Sequence, residues 1–184
     1  MALVNIPTSG VWSSIASALN SNFSGIDERT GWAQYADTEH TLAVPLVVAA
    51  GNTVALTNNA GATIKSQLPT GVTDLYDGTR IISDDLGAAY MVRIGFTVSN
   101  SSQTGAFDLS ADISAAGDGS ITIFERVSSL ARGANTPQAY NTTNLIFSLN
   151  TFLANGALIR FESITGTSSI YDITYVISKI HTGR

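Results

Sequence analysis

The chain has 184 residues, the length of one domain. Only 12% of residues are charged against 44% hydrophobic, so 21 Ser, 21 Thr and 12 Asn supply much of the polar surface. A net charge of −5 argues against a phosphate-neutralising nucleic-acid binder, and the lack of cysteine excludes disulfides, thiol catalysis and cysteine metal sites. No apolar run reaches the ~18 residues of a membrane span. The opening segment MALVNIPTSG has no basic stretch leading into an apolar one, so no signal peptide is expected.

The first predicted element is a helix over 11–26. Thr8 or Ser9 supplies its N-cap, and Val11, Trp12, Ile15, Leu19, Phe23 and Ile26 recur at spacings of three and four on one face. Its other face is Ser and Asn, which are poor helix formers, so the apolar stripe needs a partner. Trp12, Leu19 and Ile26 lie seven apart, which suits a small self-associating bundle and equally a helix docked on its own domain. Trp32, in Gly31-Trp32-Ala33-Gln34-Tyr35, reads as an anchor for the junction that follows.

Beyond residue 40 the pattern changes to short Val-, Ile-, Thr-, Tyr- and Phe-rich runs punctuated by Gly, Asn, Asp and Pro. Strands are predicted over 42–49, 52–57, 62–67, 79–82, 89–99, 106–113, 120–126, 143–153, 157–164 and 169–181. Asn58-Asn59-Ala60-Gly61 marks a turn, and Asn155-Gly156 predicts a hairpin between the runs that flank it. Eight to ten strands without intervening helices indicate a sandwich or barrel. The runs 89–99 and 169–181 are long enough to be central. In 169–181, Tyr171, Ile173, Tyr175 and Ile177 share one parity, while Ile170, Val176 and Ile180 share the other. A strand apolar on both faces needs a second covering surface, and a neighbouring subunit is the simplest source. The stretches 99–105 and 130–141 read as loops, with Tyr140 as a candidate exposed contact.

Enzyme signatures are missing: there is no P-loop, no G-x-S-x-G and no H-E-x-x-H. His40 and His181 are isolated. The carboxylates of Asp74-Leu75-Tyr76-Asp77-Gly78 and Asp84-Asp85 match no calcium-loop spacing, and Asp in loops commonly bonds the local backbone. No catalytic residue, metal or cofactor is expected.

The run Leu19-Asn20-Ser21-Asn22-Phe23-Ser24-Gly25-Ile26-Asp27, leading into Gly31-Trp32-Ala33-Gln34-Tyr35-Ala36-Asp37-Thr38, resembles the N-terminal segment of small structural proteins of tailed-bacteriophage virions. The β-region ending in Ser168-Ser169-Ile170-Tyr171-Asp172-Ile173-Thr174-Tyr175-Val176-Ile177 resembles a trimeric jelly roll of the tumour-necrosis-factor-like kind. The resemblance implies an all-β jelly-roll β-sandwich (39–184) preceded by a short N-terminal helical anchor or trimerisation segment (1–38), assembled as a C3 homotrimer. Trp12, Ile15, Leu19, Phe23 and Ile26 would form the anchor. Tyr171, Ile173, Tyr175 and Ile177 would lie in the core or the subunit interface. The implied role is non-enzymatic: capsid decoration or a head fibre, with the chain itself and the major capsid protein or other virion proteins as partners. The alternative is a tail-fibre tip recognising a host surface glycan or protein. Neither nucleic acid nor membrane is an expected partner, and assembly on the virion would take place in the host cytoplasm.

Overall fold

The computed structural model describes residues 15–17, 19–21, 29–130 and 133–183. Eleven strands run in chain order: β1 (Gly31–Ala36), β2 (Leu46–Val48), β3 (Thr53–Ala55), β4 (Ala62–Gln67), β5 (Arg80–Ile81), β6 (Ala89–Asn100), β7 (Ala106–Asp112), β8 (Thr122–Ser129), β9 (Gln138–Phe147), β10 (Ala157–Thr165) and β11 (Ser168–His181). They build two antiparallel sheets packed face to face. The first has the order β4-β1-β11-β6-β9, with β2 also on β11; the second is β3-β10-β7-β8, with β5 also on β10. The architecture is an all-β jelly-roll sandwich.

Alternation drives the layering. Along β6, Tyr90, Val92, Ile94, Phe96 and Val98 point inward and are buried, while Met91 and Arg93 between them are exposed. From the facing sheet, Phe107, Leu109, Ile159 and Phe161 complete the core. Phe107 and Phe161 stack with ring centroids 4.9 Å apart, and Phe96 meets Phe161 edge-on at 5.9 Å. Removing one such fully buried ring would cost about 3–5 kcal/mol.

Four sequence expectations change in the fold. Gly31–Ala36 is a strand between β4 and β11, so the sandwich starts ahead of the expected 38/39 boundary. The stretch 143–153 is not one strand: β9 ends at Phe147, and a short helix follows over Asn150–Asn155. Asn155-Gly156 closes that helix rather than a hairpin. Gly156 adopts φ 70°, and its N–H donates to the Phe152 carbonyl, as the chain passes from the first sheet to the second.

The fourth change concerns β11. Its pairing with β6 shifts between Tyr171↔Thr97 and Thr174↔Gly95, leaving one extra residue on β11. Asp172 absorbs that bulge with φ 55°. Side-chain parity therefore reverses at the bulge. Ile170 points inward ahead of it, opposite Val98, and Ile173, Tyr175 and Ile177 point inward after it. Tyr171 does not share a face with those three. Part of the two-faced apolar character of this strand is thus a phase shift, which moves Ile170 into the core.

The bulge also divides the neighbour on the other edge of β11. β1 pairs with residues 174–179 and β2 with 168–170, both antiparallel and in one direction. Between them the chain leaves the sheet over residues 37–45. This excursion is tied down where it leaves: Asp37 N–H donates to the Ile173 carbonyl at 2.8 Å, and Asp172 N–H to the His40 carbonyl at 3.1 Å. The crossing from β3 to β4 is held by Asn58, which is fully buried. Its Nδ2 donates to the Tyr35 and Ile173 carbonyls, both at 3.0 Å, and its Oδ1 accepts the Ala60 N–H at 2.8 Å.

Candidate interaction surface

The outward side of the first sheet can be read from its registers. Trp32, Ser178, Met91 and Leu145 lie side by side across β1, β11, β6 and β9. One step further toward the end where β1 enters, Phe147 lies opposite Ala89, with Ile180 nearby on β11. Alternation pushes these side chains away from the core, and the single chain leaves them wet. Phe147 is 60% exposed, Leu145 54%, Ile180 48% and Met91 43%. Isolated exposed apolar residues are ordinary, but a contiguous group on one sheet face marks an association surface.

The free edges β8 and β9 lie on one flank of the sandwich, joined by the Ser128 hydroxyl donating to the Tyr140 Oη at 3.2 Å. Exposed apolar groups stand at its two margins, Ile123 and Val127 on the outer side of β8 and Leu145 and Phe147 on the outer side of β9. Edge strands keep unpaired backbone groups and are natural contact sites.

Toward the opposite end of the face lies a hollow of about 320 Å³, lined by Gln34, Arg93, Gly95, Thr97, Asn141, Asp172 and neighbours. It exists because Gly95 has no side chain; a Cβ there would stand 2.7 Å from the Asn141 Oδ1. Arg93 leans across, and its Nη2 donates to the same Asn141 oxygen at 3.3 Å.

Beneath this face the two lysines of the sheet point inward and are neutralised. Lys179 is buried and donates to the Asp84 carboxylate at 2.6 Å, which also accepts the Tyr90 hydroxyl. Burial alone would raise Asp84, but the bonds from Lys179 and Tyr90 outweigh it and hold the carboxyl below the usual carboxylate range. Burial, with the adjacent Asp84 carboxylate, pushes the Tyr90 phenol up to about 12. Lys65 and Tyr35 meet Asp74 in the same way, with the same lowering against burial. These clusters tie the loop carboxylates Asp74 and Asp84 to the sheet.

The outer side of the second sheet is different in kind. Glu162 stands directly opposite Asp108, with Thr53 and Val127 completing that row; Arg160, Ser110 and Glu125 form the next. Burial and then the neighbouring Glu125 and Glu162 charges raise the Asp108 carboxyl above its ordinary value.

The expected site residues fall as follows. Trp12, Phe23 and Ile26 lie outside the described residues. Ile15 and Leu19 are helical and 50% and 41% exposed, whereas Ala16, off the predicted stripe, is 2% exposed. Ile173, Tyr175 and Ile177 are fully buried in the single chain's own core. Tyr171 lies opposite Thr97 on the outer row, yet is only 6% exposed. Tyr140 is not an exposed loop contact. It lies on β9 and points inward, with its ring 5.1 Å from Phe96 and 5.0 Å from Phe107. Met91, Arg93, Leu145, Phe147 and Asp172 were not singled out in the sequence. For Leu145 and Phe147 a signal existed: Leu145-Ile146-Phe147 is apolar on both parities.

Among the described residues, Asp37, Glu39 and His40 are the group whose donor atoms come within 4.8 Å of one another. Asp37 already accepts the backbone N–H and ring Nδ1 of His40, both at 2.8 Å, and the Asn59 N–H at 3.0 Å. These bonds order the excursion after β1.

No family model matches the sequence, and no curated protein matches it. Solved structures match the fold. Eiger TNF from S. frugiperda aligns over 85% of this chain and 94% of its own, at 12% identity and a TM-score of 0.52. The PRD1 vertex protein P5 aligns over 83% and 73%, at 16% identity and 0.48. The globular domain of zebrafish complement 1qA aligns over 83% and 98%, at 13% identity and 0.43. The class defined by the strand order and by the first of these is a TNF-like jelly roll. At these identities the likeness is one of fold.

Proposed function

We propose that this chain is a non-enzymatic structural protein of a tailed-phage virion, a homotrimer that decorates the capsid or forms a head fibre. Its N-terminal segment would attach it to the coat, and the sandwich would project outward. The observation that carries the reading is the apolar outer face of the first sheet, centred on Met91, Leu145, Phe147 and Ile180. The flank of one subunit, formed by β8 and β9, would cover the face of the next. That contact is head-to-tail, and a head-to-tail contact whose rotation closes makes a ring. The trimeric number and the virion setting come from the sequence resemblance. Ile15 and Leu19, open to solvent ahead of β1, would supply part of the anchor or trimerisation contact.

Two measurements test this. Light scattering at micromolar concentration should return three times the 19.3 kDa chain mass; a stable monomer would end the assembly reading. Mass spectrometry of purified particles should find the chain in numbers comparable to the major coat protein. A handful of copies per particle would instead favour the tail-fibre tip.

A further inference from the structure

We propose that Arg93 of one subunit pairs with Asp172 of the next, and that this charge pair sets the register of the subunit contact. The inference rests on the self-association reading above and names its polar determinant.

Charge is scarce on the first sheet. Its six strands carry Lys65, Arg93, Asp172, Lys179 and, at the very end, His181. Lys65 and Lys179 are turned inward and neutralised by Asp74 and Asp84. Two formal charges of opposite sign then remain on the outer face away from its end. Both are exposed, and both line the same hollow. They do not pair within the chain: the ion pairs among the described residues are His40–Asp37, Lys65–Asp74 and Lys179–Asp84. The registers explain why. Arg93 stands opposite Val176, whereas Asp172 sits on the bulge beyond the Gly95–Thr174 pair. Arg93 is held toward Asn141 on the other side.

Each group is presented rather than loose. The guanidinium is braced on Asn141 above the gap left by Gly95. The Asp172 backbone is fixed by its N–H bond to the His40 carbonyl, while its carboxylate has no partner among the described residues. Covering the apolar part of this face with protein would also dehydrate these two charges. An unpaired charge left in such a contact is strongly unfavourable. A foreign anion would suit Arg93 and be repelled by Asp172, and a cation the reverse. A second copy of this chain brings both signs. In a closed ring every Arg93 finds an Asp172, and no charge is left over.

The test is a charge reversal read as an assembly constant. Arg93→Asp and Asp172→Arg should each weaken the trimer by at least about tenfold in sedimentation or light scattering, and the double variant should recover to within a few-fold of the parent. Arg93 is exposed on regular strand, so Arg93→Asp should keep the parent melting temperature under dissociating conditions. At the left-handed Asp172 the variant Asp172→Asn, which removes the charge and suits φ 55°, should keep it too and still weaken the trimer, and that control separates a contact effect from misfolding. If the parent is a trimer and neither reversal weakens it, or if the double variant is as weak as the two singles combined, the pairing is overturned while the assembly reading stands. A monomeric parent overturns both.

Discussion

The two outer faces of this sandwich are made by the same kind of alternating strand, yet they are opposites. The second sheet turns Asp108, Glu162, Arg160 and Glu125 outward around the exposed Val127, with a like-charged pair directly across two strands. The first turns out Met91, Leu145, Phe147 and Ile180, with every inward lysine cancelled. Neither face is needed to close the core, which Phe96, Phe107, Phe161 and the tyrosines fill from within. The difference therefore reports on what each face meets. A carboxylate-rich surface tolerates like-charge repulsion because water screens it; a Phe–Leu–Met surface on a low-charge protein calls for a cover.

The hardest blow to this contrast comes from charging the apolar face. Leu145→Asp with Phe147→Asp should raise the trimer dissociation constant by at least about a thousandfold, on the order of 4 kcal/mol, with the monomer still folded. Glu162→Ala on the other face should leave the mass unchanged. Equal effects from the two faces would erase the distinction.

Next in size is the ion pair beneath the apolar face. Asp84→Asn strands the buried Lys179 ammonium and should cost about 3 kcal/mol in denaturant unfolding. The parent should show the matching pH dependence. Asp84 titrates below its ordinary value of 3.8 in the folded chain, so its contribution is complete above that value and is lost as pH falls through the lowered one. Asp74 acts in the same sense. Asp84→Asn should flatten this acid limb.

The smallest effect has the opposite sign. Asp108 is raised by burial and by Glu125 and Glu162, so its ionised form is disfavoured in the folded chain, and the penalty is relieved as pH falls through the raised value. Asp108→Asn should stabilise the sandwich at neutral pH by about 0.5 kcal/mol, with little gain under acidic conditions, as followed by thermal melting.

The long strands were legible because their alternation is strong: 89–99, 157–164 and 169–181 match β6, β10 and β11 to within a residue or two. Period-two reading failed where the backbone changes phase. The bulge at Asp172 put Ile170 and Tyr171 on the wrong sides, because nothing in Ile170-Tyr171-Asp172-Ile173 announces an inserted residue. β1 escaped notice because Gly-Trp-Ala-Gln-Tyr-Ala turns only Ala33 and Tyr35 into the core and carries no β-branched residue. The helix Asn150–Asn155 starts after Leu149, which makes no side-chain cap, so no start signal was present. The candidate surface was the least readable part. It is assembled from β1, β6, β9 and β11, and only the registers say which outward residues become neighbours.

The edge of β11 is interrupted between β1 and β2. Because β1 and β2 are each fixed to β11 independently, the excursion over 37–45 has a length that is uncoupled from strand registration. Its tip is a two-residue reversal closed by Thr41 and Val44, with Leu42 and Val44 standing clear of the body. A foreign peptide grafted between Leu42 and Ala43 would leave both anchors in place. The scaffold thus contains a natural display position, one that can lengthen or diversify without disturbing the layers beneath it.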